Sequence, residues 1–206
     1  ADLTKKSVPK YPPYAKRILV DNNWFKTLRK DNVELVTDQV TKIGKRSIVT
    51  SEGAEHKADV IIFATGFHAE NTLGSIDITV KGGPSLNELW GDDDPRAYLG
   101  ITTPGFPNLF FLYGPNANLG HGGSIIFISE LQVRYVVSLA MQMIEEKLSS
   151  IECLQETHDQ YNKKLDDEHS ELIWTHPGMN SWYKNKSGRI ISIMPWRLVD
   201  YWKFTY

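Results

Sequence analysis

The stretch best suited to chemistry is the glycine-rich run GPNANLGHGGSI at 114–125. A β-prone run precedes it and a long helical pattern follows. The first turn of a helix leaves backbone N–H groups unpaired and carries about half a positive charge, so this arrangement suits an anion or a cofactor group that gains negative charge. An ordinary strand-to-helix loop has the same composition, and the glycines alone do not separate the two. Gly120 and Gly122 begin a G-x-G-x-x-G, but position 125 is Ile. The chain therefore lacks the usual dinucleotide pyrophosphate turn.

Other polar residues carry less. Lys16 and Arg17, by type alone, are a pair of solvated surface cations. His121, in the glycine stretch, reads as a structural residue or an edge contact. His158 and His169 share a polar helix with no Cys or carboxylate at ligand spacing, so no metal site is expected. Asp92-Asp93-Asp94 has no phosphate motif beside it and reads as a solvated turn. Ser124 is not the nucleophile elbow G-x-S-x-G, because position 126 is Ile.

Positioning these residues requires particular elements. Val8–Tyr14 is proline-rich and reads as an entry loop. Ile18–Asp21 is a short apolar run, Asn23–Lys30 suits a helical turn, and Val33–Val36 is β-prone. Val40–Ile43 and Ser47–Thr50 flank Gly44-Lys45 as a hairpin would. Ala58–Ala64 and Leu109–Tyr113 are continuous apolar runs, each stopped by a glycine turn, and read as strands buried on both faces of a parallel sheet. Ser124 is the predicted N-cap of a helix to Leu148. Ile128, Leu131, Tyr135, Leu139 and Met143, with Val136, Ala140 and Ile144, form its apolar face. Glu156–Ile173 reads as a second helix, Ile190–Ile193 as a strand and Trp196–Phe204 as a closing helix. The fold class is α/β.

Composition limits the function classes. At 206 residues, 41% hydrophobic and 23% charged, the chain is ordinary globular material. A net charge of −2 and the lack of a basic stripe argue against a nucleic-acid partner. The longest apolar runs, such as Val60–Ala64 and Ile125–Ile128, fall far short of the ~20 residues that span a bilayer. Residues 1–10 show no signal region, and Cys153 has no partner for an internal disulfide. These features lead to an expected cytoplasmic location without membrane contact.

Longer matches refine this reading. Residues 58–67, ADVIIFATGF, resemble the A-T-G linker strand of flavin-containing and Baeyer–Villiger monooxygenases, where the chain returns from the NADPH domain to the FAD domain. Residues 98–110, YLGITTPGFPNLF, resemble the stretch before the last FAD-domain strand in that family. The glycine stretch is similar to that of the branch containing 4-hydroxyacetophenone monooxygenase. The likeness runs from about Pro9 to Trp196.

The resemblance implies the C-terminal portion of a class B flavoprotein monooxygenase with an incomplete Rossmann-like architecture for binding FAD and NAD(P). Residues 1–64 would end the NADPH-binding domain, and 65–206 would form the C-terminal part of the FAD-binding domain. The implied reaction inserts one oxygen atom from O2 into a ketone through a C4a-peroxyflavin. Arg17 would be catalytic, stabilising the anionic peroxide, and Lys16 would meet the NADPH 2′-phosphate. Thr65, Gly66, Gly114, Pro115, Asn116, Leu119, Gly123, Ser124 and Ile125 would line the cofactors, and Trp182 would contact the NADPH ribose. The alternatives are an N- or S-oxygenating flavin-containing monooxygenase and a non-catalytic interaction module.

The family's FAD and NADPH glycine motifs and its F-x-G-x-x-x-H fingerprint lie upstream of the matched region and are absent from these residues. The implied partners are therefore the missing N-terminal portion of the same enzyme, a small carbonyl substrate and O2, with a homodimer as another way to cover apolar faces.

Overall fold

The computed structural model describes residues 2–68, 71–120 and 122–206. The chain is mixed α/β and divides into two compact units, one of Ala1–Lys10 with Ile18–Phe67, the other of Tyr11–Arg17 with His68–Tyr206.

In the first unit, helix α1 (Asp2–Ser7) and the single turn α2 (Trp24–Thr27) precede a three-stranded antiparallel meander of β1 (Val40–Ile43), β2 (Ser47–Thr50) and β3 (Glu55–Lys57). The side chain of Asp21 accepts from the amides of Asn23 and Trp24, which satisfies donors that the start of α2 leaves free. The Gly44 amide donates to the Ser47 carbonyl (2.8 Å), closing the expected hairpin. A bulge between Val40 and Lys42 irregularly offsets β1 from β2. The third strand was not legible in the sequence.

Ala58–Ala64 corrects the expectation of a buried strand. It takes no regular structure, and Val60, Ile62 and Phe63 are 77%, 85% and 67% exposed. A strand exists only as part of a ladder, and no strand among the described residues pairs with this run. Ile18–Asp21 and Val33–Val36 likewise form no strand.

The second unit holds most of the core. Helix α3 (Leu86–Trp90) begins at a capping box: the Glu88 amide donates to Ser85 Oγ and the Ser85 amide to the Glu88 carboxylate. This directs Leu86 and Trp90 inward against Ala97, Phe106 and Phe111. Leu109–Tyr113 also departs from the expected strand. Phe111 is bonded through its amide to the Ile101 carbonyl (2.7 Å) and buried, but Leu112 beside it is 55% exposed and no ladder forms.

Two residues, Asn118–Leu119 (β4), pair in parallel with Ile193–Met194 (β5). Between them lie α4 (Ile125–Glu145) and α5 (Gln155–Ser170), and α6 (Leu198–Phe204) closes the chain. α4 starts where the sequence predicts, with Ser124 as N-cap. Ile128, Leu131 and Gln132 are buried against Leu99, Ile101, Met194 and Tyr201, whereas Val133, Val137 and Met141 are exposed, as is Ile144, against its expected place on the apolar face. At 21 residues, α4 is also the one helix among the described residues long and apolar enough, by length and composition, to cross a membrane; the short apolar runs did not reveal this. α5 buries His158, Asn162, Leu165 and His169, one stripe at spacings of three and four.

Candidate functional site

The glycine stretch is seated by its own backbone and by Arg189, whose side chain is largely buried. Gly114 approaches the turn at Leu99-Gly100 so closely that a Cβ there would lie 2.5 Å from the Gly100 carbonyl oxygen. Asn116 is buried with a φ of 54°, and its side-chain amide donates to the carbonyls of Ile190 (2.8 Å) and Ile193 (3.1 Å). Its side-chain oxygen accepts from Arg189 Nη2 at 3.2 Å.

The Arg189 guanidinium also bonds Asp166 (2.8 Å), Asp94 (3.1 Å) and the Pro95 carbonyl. Arg96 reaches the same two carboxylates, each at 3.0 Å. Burial pulls the Arg189 pKa below its ordinary value, although both carboxylates oppose that shift. Burial, then the Arg189 charge, push neighbouring His169 down to about 4. Asp94 is thus a structural ion-pair partner, which corrects the solvated-turn expectation for that residue. Asp93 caps the Lys186 amide (2.8 Å).

Past Asn116 the chain opens. Leu119, Gly120, Gly122 and Gly123 line a cavity of about 270 Å³ with Met194, Trp196, Arg197 and Leu198. Added Cβ atoms on Gly120 and Gly123 would strike Trp174 and Leu198, at 2.3 and 2.4 Å, but one on Gly122 (φ 52°) would meet nothing within 4 Å. The cavity floor is closed and its rim open. Ser124 Oγ accepts from the Phe127 amide at 3.4 Å, and Ile125 and Ile126 are 51% and 70% exposed, so the side chains of the described residues leave the first turn of α4 largely open.

Arg17 joins this rim from a segment anchored by the fully buried Ala15. Its Nη2 donates to Asn118 Oδ1 (3.0 Å) and to the Leu119 carbonyl (2.8 Å). No carboxylate among the described residues lies within ion-pair distance of it, whereas Arg197 in the cavity wall is paired with Asp200 at 2.7 Å. Among the described residues, Arg17 therefore presents a positive charge at this rim without an ion-pair partner. Lys16 is exposed, its ammonium 4.8 Å from the centre of the Tyr11 ring.

The structure brings Arg17 and Leu119 together, with Gly122–Ile125 at the open rim. Pro115 and Asn116 are buried beneath. Trp182 is 45% exposed with its ring against Tyr183 (4.4 Å), and among the described residues no hydrogen bond or ring contact joins it to Arg17 or the glycine stretch. Thr65 and Gly66 lie in the first unit, both exposed, Gly66 at φ 85° with open space where a Cβ would stand. His121 lies outside the described residues. Sequence reasoning missed Asn118, Tyr113 and Arg189. Asn118 stands inside the glycine stretch, and only that position signalled it.

No protein-family model matches the chain. It is 44% identical over 201 residues to the uncharacterised monooxygenase y4iD of Sinorhizobium fredii, covering 98% of this chain and 30% of that protein. A Baeyer–Villiger monooxygenase of Pseudomonas aeruginosa is 35% identical over 200 residues, covering 95% and 38%. The solved structure of OTEMO in complex with FAD and NADP superposes with a TM-score of 0.85 at 28% identity, covering 99% of this chain and 38% of that one. The chain spans about a third of the length of the curated relatives it matches.

Proposed function

Because this chain is homologous, over nearly its whole length, to part of the flavin-dependent monooxygenases that include Baeyer–Villiger enzymes, we propose that it is the C-terminal portion of an FAD- and NADPH-dependent enzyme inserting one oxygen atom from O2 into a ketone. In this reading residues 1–64 end an NADPH-binding domain and 65–206 form the C-terminal part of an FAD-binding domain. Together they are an incomplete Rossmann-like architecture completed by the N-terminal portion of a cytoplasmic enzyme.

The observation that carries the proposal is Arg17, an uncompensated guanidinium fixed at the open rim of the glycine stretch. The residues present fit one end of a flavin, since the bare first turn of α4, the unobstructed Gly122 and the cation suit a flat group that accumulates negative charge. Bound FAD would supply hydride acceptance from NADPH and the reduction of O2. Around it, Arg17 stabilises negative charge on the oxygen to be transferred. A guanidinium about 4 Å from a unit charge contributes on the order of 4 kcal/mol at an effective dielectric near 20. Lys16 receives the NADPH 2′-phosphate and Trp182 packs on its ribose. Asn116 and Pro115 support the cofactor from beneath, while Leu119, Gly123, Ser124 and Ile125 meet it and Thr65-Gly66 carry the chain between the domains.

The test is Arg17→Ala in the full-length enzyme. Removing ~3–4 kcal/mol of transition-state stabilisation lowers the oxygenation rate by roughly 10²–10³-fold. Hydride transfer makes no such demand on Arg17, so rapid-mixing measurements should show flavin reduction far less affected than product formed per NADPH consumed. Full coupling in the variant would remove Arg17 from the mechanism. Turnover of amines or sulfides in place of ketones would move the assignment to the N- or S-oxygenating branch.

A further inference from the structure

Resting on that reading of Arg17, we propose that Asn118 is a positioning residue, a neutral clamp that fixes the guanidinium while leaving its charge free for the reacting oxygen. Asn118 Oδ1 accepts two hydrogen bonds, from Arg17 Nη2 (3.0 Å) and from the Tyr113 hydroxyl (2.7 Å). The guanidinium can only donate and so demands the amide oxygen, which determines the orientation of the Asn118 side chain.

The clamp is held from behind. The Leu119 carbonyl accepts a second bond from Arg17 Nη2 (2.8 Å), and Asn118-Leu119 is in register with Ile193-Met194. Tyr113 sits at a φ of 59°, its amide donating to Gln132 Oε1 (2.6 Å). Gln132 is fully buried and donates to the Tyr201 hydroxyl (2.8 Å). The unusual backbone at Tyr113 is thus fixed by the core, and its hydroxyl is delivered to Asn118.

Both acceptors of Arg17 are uncharged, and both bonds use Nη2. The N–H groups on Nε and Nη1 have no acceptor among the described residues and remain for a ligand. A carboxylate at position 118 would hold the arginine equally well in space but would cancel its charge. That distinguishes a charge-preserving clamp from a residue that merely fills its place.

Asn118→Asp in the full-length holoenzyme tests this. The substitution is nearly isosteric and its oxygen can accept both bonds, so a purely structural role predicts an unchanged melting temperature and unchanged product per NADPH. The clamp predicts a retained fold and about tenfold less product per NADPH, comparable to losing one hydrogen bond to a charged group. In an Arg17→Ala background the same change should add no further loss, since Asn118 acts only through that arginine. Coupling of Asn118→Asp within about twofold of wild type, with Arg17→Ala uncoupled, would overturn the proposal. If Arg17→Ala itself stays coupled, the mechanism assigned to the site fails instead. The clamp is then judged from a crystal structure of Asn118→Ala, or of Tyr113→Phe should that variant not fold. A displaced guanidinium supports positioning, and one still seated on the Leu119 carbonyl refutes it.

Discussion

Replacing Arg189 with methionine should loosen the glycine stretch without substituting any residue within it. The guanidinium ties Asp94, Pro95, Asn116, Asn162 and Asp166, and its side chain is only 9% exposed. A charge pair near 3 Å is worth about 5 kcal/mol at an effective dielectric of 20, but much of that is offset by desolvating the guanidinium. Removing one partner leaves the two carboxylates half-buried, at a typical cost of about 3–5 kcal/mol. Asp94 and Asp166 keep Arg96 and are 40% and 35% exposed, which places the loss near the low end, about 3 kcal/mol. Lysine retains the charge but cannot span both carboxylates and the Asn116 amide, so it should recover about 1 kcal/mol of this. The assay is amide hydrogen exchange of residues 114–120 in the full-length protein. A 3 kcal/mol loss corresponds to exchange about 100-fold faster there. Exchange across Val40–Thr50, in the other unit, should not change. A stretch whose exchange stayed within about threefold of wild type would show that Arg189 does not hold it.

His169 should make stability fall on acidification. Its pKa is about 4 folded against 6.5 unfolded, so the unfolded chain binds the extra proton; the contribution is complete above 6.5 and is lost as pH falls towards 4. His169→Gln should flatten that part of the unfolding free-energy profile by up to about 3 kcal/mol, and an unchanged slope between pH 6.5 and 4 would contradict the assignment. Gly120→Ala drives a methyl into Trp174 and Ile193 and should cost about 1–3 kcal/mol by denaturant titration, whereas Gly122→Ala meets open space and should cost only the ~1 kcal/mol of a positive φ. Equal losses at the two positions would contradict the closed floor and open rim. Gln132→Leu strips the Tyr113 amide of its buried acceptor and should destabilise by about 1–3 kcal/mol, checked by the shift in denaturation midpoint.

The parts of the fold that depend on neighbours in sequence were legible. Ser124 followed by an uninterrupted apolar period gave α4 and its cap, and Gly44-Lys45 between two β-branched runs gave the hairpin. Ala58–Ala64 and Leu109–Tyr113 read as strands because composition reports only that a run is apolar. Pairing needs a second strand, and no spacing within the run contains that information. The site divides in the same way. The glycine stretch was visible as a contiguous motif, whereas resemblance singled out Arg17 only as a residue over the flavin, and its bonds to Asn118 and Leu119 were not foreseen. Asp94, Asp166 and Arg189 meet from separations of 23 and 95 residues, so no local pattern marks them. Asp94 consequently looked like a solvated turn.

Those separations bear on the order in which the molecule assembles. Arg17 meets Asn118 across 101 residues, and Tyr201 meets Leu99 across 102. Closing such loops costs entropy that local contacts do not offset, so long-range pairings form late. During synthesis Arg17 leaves the ribosome long before Asn118, and Asn118 before Ile193, its partner in the parallel pair. The rim of the cavity is thus among the last features to form. A nascent chain halted between Ile125 and Ile193 would carry Arg17, Asn118 and the whole glycine stretch yet leave β4 without its partner strand.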